Sequence, residues 1–272
     1  TGDGVRMAQA AGADLWHMNA LSCPLGLVVP GLKTALQINM LAPSHIYVDQ
    51  DGKRFVNEKM DNHTCIYGVN LLDAVKHRYP RIPCFVIFDE EARKRGPIIG
   101  GATSGYALNR EDYKWSKDNS AEIEKGVIVS APTIEELAKK INVPAENLVE
   151  TVKRWNEQIT AGADKDFGRP LEKKGKVAFE GREAPIISRP IGEGPYYAAE
   201  LYPAVLNTQG GPKRNKLGQV LDPFGNPIPR LYSAGELGSM WGHIYQGATN
   251  NSEACVFGRI AGRTAAGEQN WQ

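Results

Sequence analysis

The chain has 272 residues, 42% of them apolar and 23% charged, with 29 glycines, 17 prolines and a formal charge of +1. That length holds one large core or two smaller ones, and the near-neutral balance gives no electrostatic footprint for nucleic acid or an anionic membrane. No apolar run approaches the ~18 residues that a membrane-spanning helix needs.

Thr1-Gly2-Asp3-Gly4 precedes the first methionine, Met7. No signal peptide is visible, and such an opening reads as a fragment or a processed product. Asp3 is placed to cap a helix over about 4–13, with Val5, Ala8, Gly12 and Leu15 as a small-residue stripe suited to packing on a sheet. Residues 19–45 are apolar and rich in Pro and Gly without a clean period. They read either as a substrate-facing loop region or as a buried irregular connection.

The segment from Ile46 to Val56 alternates β-formers around Asp51-Gly52, which predicts a hairpin with a type I′ turn. A helix is expected over 71–76 and a buried strand over 84–88. Residues 96–120 read as loop and 127–129 as a short strand. Thr133-Ile134-Glu135-Glu136 is a capping box that opens a short helix. A longer helix is predicted from about Ala145 to Thr160, with Leu148, Val152, Trp155 and Ile159 on one face and Ala161-Gly162 as its end. Residues 163–195 are polar and irregular, and the charge run 172–176 reads as a solvated loop. Order resumes as a strand at Pro195-Tyr196-Tyr197-Ala198. Val220-Leu221-Asp222 enters a turn at 224–227, Leu231 to Glu236 is a strand ending in a Gly-Glu turn, and a helix runs from about 250–252 to Ala266. The cysteines Cys23, Cys65, Cys84 and Cys255 show neither CxxC nor zinc spacing and read as free thiols, which leaves the compartment open.

Five segments in order carry a resemblance. They are Thr-Gly-Asp-Gly (1–4), Gly-Lys-Arg-Phe-Val-Asn-Glu (52–58), Asn-Thr-Gln-Gly-Gly (207–211), Asn-Pro-Ile-Pro-Arg-Leu-Tyr-Ser-Ala-Gly-Glu (226–236) and Val-Phe-Gly-Arg-Ile-Ala-Gly-Arg (256–263). In order and spacing the chain resembles FAD flavoproteins of the fumarate reductase and 3-ketosteroid dehydrogenase superfamily. The resemblance implies an α/β fold with an α+β capping domain, that is, the C-terminal part of a doubly wound FAD-binding fold interrupted by a substrate cap. On this mapping residues 1–25 and 206–272 belong to the FAD domain and 26–205 to the cap. The Gly-x-Gly-x-x-Gly fingerprint of such a fold is absent here, so an N-terminal FAD-binding segment is expected upstream.

The resemblance also implies roles. Glu236, after Ala234 and Gly235, is a carboxylate able to accept hydrogen bonds from ribityl hydroxyls of FAD. Gly247, Asn250, Asn251 and Ser252 open a helix whose N-terminus would face the flavin and stabilise negative charge on it; ordinary capping is compatible with that. Against fumarate reductases there are departures. Asn62 stands where they have a catalytic Arg, Asn207 where they have a His, and Tyr245 where they have a substrate-binding Arg. Cys23-Pro24 replaces His-Pro, and Ile38 and Leu41 align with the proton relay. With clamps and proton donor missing, fumarate is not the expected substrate.

Gly242-His243-Ile244-Tyr245-Gln246-Gly247 instead resembles the Gly-His-x-Tyr-x-Gly of ketosteroid dehydrogenases, where Tyr and a backbone N–H polarise a carbonyl. Tyr245, His63 and Asn62 are the catalytic candidates; packing is the competing role for each, as for Tyr67 and Trp241. Arg54 and Glu58 read as a structural ion pair or capping groups. The expected function is an FAD oxidoreductase acting on a C=C or CH–CH bond beside a carbonyl, with a small unsaturated substrate and an electron donor or acceptor that the sequence does not identify. The alternatives are a non-catalytic subunit or binding module that completes a partner flavoprotein, and a catalytically degenerate flavoprotein.

Overall fold

The computed structural model describes residues 2–40, 42–59, 65–99, 113–172, 186–242 and 249–269. The chain groups into two units, one of Thr1–Cys23 with Val205–Gln272 and one of Pro24–Ala204, so the second is inserted in the first.

The first unit opens with α1 (Asp3–Ala10). Asp3 is not its cap: Gly2 holds that place at φ 75° with no side-chain bond, and Asp3 lies in the first turn, where its charge favours the positive end of the helix dipole. The helix also stops three residues earlier than the pattern suggests. Of the expected stripe only Ala8 is buried. Two short strands follow, β1 (Leu15–Trp16) and β2 (Leu21–Ser22).

The inserted unit contains β3 (Leu25–Leu27), β4 (Leu36–Gln37), β5 (His45–Val48), α2 (Cys65–Val69), β6 (Cys84–Phe88), α3 (Glu90–Lys94), α4 (Ser120–Glu124), β7 (Val129–Ala131), α5 (Ile134–Lys140), α6 (Ala145–Thr160) and β8 (Tyr196–Pro203). Its sheet runs β4-β3-β8-β6-β5, with β7 sharing an edge of β8, and all its pairs are antiparallel. β6 is apolar at every position because both faces are covered. Cys84, Val86 and Phe88 join one core with Leu27, Tyr47, Ala199 and Leu201. Phe85 and Ile87 join the other with Ile46, Val48, Ala198 and the helical residues Leu137, Leu148, Val152, Trp155 and Ile159. Burial of a side chain the size of Leu148 contributes about 1.5–3 kcal/mol.

The helix ends follow their local chemistry. Thr133 caps α5 by accepting from the Glu136 N–H at 3.2 Å. α6 closes on Gly162 at φ 94°, whose N–H meets the Ile159 carbonyl, while the Ala163 N–H reaches Gln158, a Schellman ending. Three expectations are corrected. The connection after β5 has positive φ at Gly52 but not at Asp51, with the Gly52 N–H on the Asp49 carbonyl and the Asp49 N–H on the Lys53 carbonyl, so it is a longer turn than type I′. Residues 71–76 form no helix: the Asp73 carboxylate takes the N–H groups of Val75 and Lys76, and the Asp73 N–H bonds Arg78, which closes a turn in place of a helical ladder. The strand expected over 127–129 is β7, two residues later.

Returning to the first unit, the chain adds β9 (Asn207–Thr208), β10 (Gly211–Pro212), β11 (Gln219–Leu221), β12 (Pro227–Tyr232) and α7 (Thr249–Ala266). Three antiparallel pairs tie it together: β1 with β10, β2 with β9, and β11 with β12. Among the described residues, Cys23, Cys84 and Cys255 are free thiols, and no helix is long and apolar enough to cross a membrane.

Candidate cofactor site

The loop from Ser233 to Gly242 follows β12 and leads toward α7. Two glycines let it lie against β10. Gly238, at φ 73°, leaves no room for a Cβ, which would sit 2.0 Å from the Pro212 carbonyl oxygen. A Cβ on Gly211 would sit 2.4 Å from the Gly238 nitrogen. This close approach accounts for the second glycine of Asn-Thr-Gln-Gly-Gly, and a Cβ on the first, Gly210, would meet the Met18 Cα at 2.7 Å.

A buried ion pair then pins the loop. Arg214 bonds Glu253 of α7 and donates to the carbonyls of Leu237 at 3.0 Å and Gly235 at 3.2 Å. Glu253 accepts in turn from the Ser239 hydroxyl at 2.6 Å and the Met240 N–H at 2.8 Å. The guanidinium lies 4.6 Å from the centre of the Phe257 ring. Burial pulls Arg214 below its usual pKa, and Glu253 opposes that shift. Two further bonds hold the loop from α1's side of the unit. The Trp16 indole donates to the Gly238 carbonyl at 3.1 Å, and His17 Nδ1 lies 2.7 Å from the Ser239 carbonyl.

The framework carries Glu236. Ala234 is exposed and Gly235 is buried at φ 78°. The Glu236 carboxylate is half-buried, and its Oε1 accepts from Asn207 Nδ2 at 2.5 Å and from Asn250 Nδ2. Asn250 is buried in the first turn of α7, whereas Asn251 and Ser252 are exposed there. Among the described residues of this unit five buried side-chain atoms have no hydrogen-bond partner: the acceptors Asn207 Oδ1 and Asn250 Oδ1 and the donors Gln209 Nε2, Trp241 Nε1 and, within the Arg214–Glu253 pair, Arg214 Nε. Buried polar groups are seldom left unpaired, so these atoms fit a ligand that offers both donors and acceptors, as a flavin does. Tyr245, Gly247, His63 and Asn62, with His243, lie outside the described residues. Tyr67 is described and is exposed on α2.

The inserted unit holds a second charge cluster. Arg54 reaches Glu58 through Nε and Nη2, both at 2.9 Å, and Asp164 through Nη1 at 3.1 Å and Nη2 at 3.0 Å. Arg169 meets Glu58 at 3.3 Å and donates to the carbonyls of His45, Pro43 and Ile187. The Trp155 ring lies 4.4 Å from the Arg54 guanidinium and 5.0 Å from that of Arg169. Each charge here has an opposite partner within the protein, and of the guanidinium nitrogens of Arg54 and Arg169 only Arg169 Nε is left without a hydrogen bond, so the cluster is structural, in line with the ion pair read from Arg54 and Glu58. Sequence reasoning did not find Arg169, Asp164, Arg214 or Glu253. Their partners lie 110, 111 and 39 residues away, and no local pattern links them.

The family described as FAD binding domain matches residues 1–252. A 3-oxosteroid 1-dehydrogenase of Mycolicibacterium smegmatis is 31% identical over 96% of this chain and 45% of its own length. A fumarate reductase (cytochrome) of Shewanella frigidimarina is 30% identical over 97% of this chain and 39% of its own. Among solved structures, the 3-ketosteroid Δ1-dehydrogenase of Sterolibacterium denitrificans in complex with 1,4-androstadiene-3,17-dione has a TM-score of 0.75 at 28% identity, over 98% of this chain and 47% of that one. The chain therefore spans less than half the length of each of these relatives.

Proposed function

The chain belongs to the FAD binding domain family, with FAD as its cofactor, and from that premise we propose that it is part of an oxidoreductase acting on a CH–CH or C=C bond beside a carbonyl. The relatives are a steroid dehydrogenase and a fumarate reductase, both redox enzymes of adjacent carbons. The observation that carries the reading is the convergence of Asn207 and Asn250 on Glu236 at the start of α7, beside buried polar atoms without partners.

In this reading Thr1–Cys23 and Val205–Gln272 supply one part of the FAD fold, and the inserted unit is the cap that carries substrate contacts. The grouping of the chain into those two units supports the assignment. The dinucleotide fingerprint missing from these residues is supplied by polypeptide outside them. Glu236 would hold hydroxyls of the cofactor's sugar-like chain, and the start of α7, with Asn250, Asn251 and Ser252 and with Gly247 before it in sequence, would supply N–H groups to its pyrimidine ring. Bound FAD supplies the two-electron acceptor or donor.

The protein's own task is then to polarise the substrate. Adding hydride at the carbon β to a carbonyl builds enolate charge on the carbonyl oxygen, which a proton at the α carbon then discharges; in the opposite direction loss of the α proton builds the same enolate before hydride leaves the β carbon. Tyr245, a phenol with an ordinary pKa of about 10, donates a hydrogen bond to that oxygen, and His63 and Asn62 serve as further polar contacts. The absence of cationic clamps at Asn62 and Tyr245 favours a neutral ketone over a dicarboxylate. The test is anaerobic: the full-length flavoprotein is reduced with dithionite, then mixed with a cyclic enone or with fumarate. Reoxidation by the enone and not by fumarate is expected, with Tyr245→Phe slowing it about 10²-fold or more. Equal rates for wild type and Tyr245→Phe would remove Tyr245 from the chemistry.

A further inference from the structure

We infer that Asn207 is a positioning residue for the cofactor, acting through Glu236; this rests on the FAD reading above. Asn207 lies on β9, in register with Ser22 of β2. Asn250 lies in α7, and Glu236 in the loop after β12. Three segments well separated in sequence thus meet on one oxygen, Glu236 Oε1. A carboxylate accepts and does not donate, so each amide must turn its nitrogen toward it. The orientation of both side chains is thereby set, and each is left with a buried Oδ1 that no described residue satisfies.

The consequence is a division of labour within one carboxylate. Two donors use the two lone pairs of Oε1. Among the described residues Oε2 receives no side-chain bond, which leaves it open to a ligand or to solvent. With the two asparagine oxygens, the three side chains that meet here present acceptors to a ligand. Such a set suits a group with several O–H or N–H donors. The polyhydroxylated ribityl chain of FAD is of that class. Asn207 contributes twice, by fixing the Glu236 rotamer and by offering an acceptor of its own. A purely packing role would give it neither an orientation imposed by Glu236 nor an unpaired buried oxygen.

The experiment compares two cofactors on the full-length protein, FAD and an analogue whose ribityl chain is replaced by a hydroxyl-free alkyl chain, with binding read by quenching of flavin fluorescence. Asn207→Ala is expected to weaken FAD about 30-fold while weakening the analogue less than about threefold. Asn207→Asp, which faces Glu236 with a second carboxylate, is expected to lose FAD at least as severely. If Asn207→Ala does not fold, Asn207→Ser, which keeps a short donor, goes through the same comparison. Equal weakening of both cofactors in the variant that folds, or weakening of neither, overturns the inference and leaves the FAD reading intact. Failure of the wild-type protein to bind FAD at all overturns the FAD reading itself.

Discussion

Glu253→Ala is expected to destabilise the first unit by about 3–5 kcal/mol and to weaken flavin binding at least tenfold. The stability loss follows from what the substitution leaves behind. Arg214 is 5% exposed and its charge is answered by Glu253. Removing one member of a buried pair strands the other charge in a medium that cannot solvate it, which is why such truncations cost about 3–5 kcal/mol. The Ser239 hydroxyl and the Met240 N–H lose their acceptor as well.

The flavin effect follows from position. Arg214 donates to the carbonyls of Gly235 and Leu237, on either side of Glu236. Once the guanidinium is displaced, the ligand must re-order that loop at about 1–2 kcal/mol per residue. Urea melts and flavin fluorescence titration of the same variant measure both quantities. Val256→Ala, an exposed neighbour on the same helix, serves as the control and should change neither. A stability change under about 1 kcal/mol with unchanged flavin binding would show that the pair does not hold the loop.

The second large effect lies in the inserted unit. Glu58→Ala removes the carboxylate that Arg54 and Arg169 share, and the side chains of Arg169 and Glu58 are wholly buried. It also strips the Tyr47 N–H of its acceptor at 3.1 Å. A loss of about 3–5 kcal/mol is expected, with Glu58→Gln, which keeps shape but not charge, between that and wild type.

The same network predicts an acid limit. Burial pushes the Asp164 carboxyl up, but the bonds from Arg54 and from the Arg169 and Phe167 N–H groups outweigh it and hold the group below its ordinary 3.8. The unfolded chain therefore binds more protons than the folded one in this range, and stability rises with pH. The contribution is complete above the unfolded value and is lost as the pH falls through the lower folded value. Glu90, held at about 2 chiefly by Arg93, acts in the same direction. Melting temperature followed from neutral pH to about pH 3 should fall most steeply below the ordinary carboxylate range, and Asp164→Asn should flatten that fall. An unchanged profile in Asp164→Asn would assign the acid sensitivity elsewhere.

How far the sequence could be read depended on whether the information was local. α6 and its Schellman ending follow from a 3.6-residue period and a glycine at the right place. β6 follows from an apolar run too short for a helix, and the α5 cap from a threonine three residues before a glutamate. The failures occurred where a side chain competed with the backbone. Asp73 captured two N–H groups and made a turn of a segment with helical composition. Asp49 and Gly52 lengthened a turn that Asp51-Gly52 alone would have made tighter.

In the candidate site, Glu236 was legible because it follows a glycine within a motif of the resembling family. Its partners were less so. Asn207 drew notice for the residue it replaces, and nothing in its neighbourhood announces a bond to a carboxylate 29 positions on. Arg214 with Glu253, and Arg169 with Glu58, are invisible to any pattern because buried charge is organised in three dimensions.

The central claim is that this chain carries the part of an FAD site organised around Glu236. Flavin content per polypeptide, measured on the purified full-length protein after release of the cofactor, tests it most directly, with Glu236→Ala beside it at matched folding by circular dichroism. The account predicts about one FAD per wild-type chain and a large loss in Glu236→Ala that excess FAD only partly restores. Wild-type protein that carries no flavin and cannot be reconstituted with FAD, or a Glu236→Ala variant that retains it in full, would contradict it.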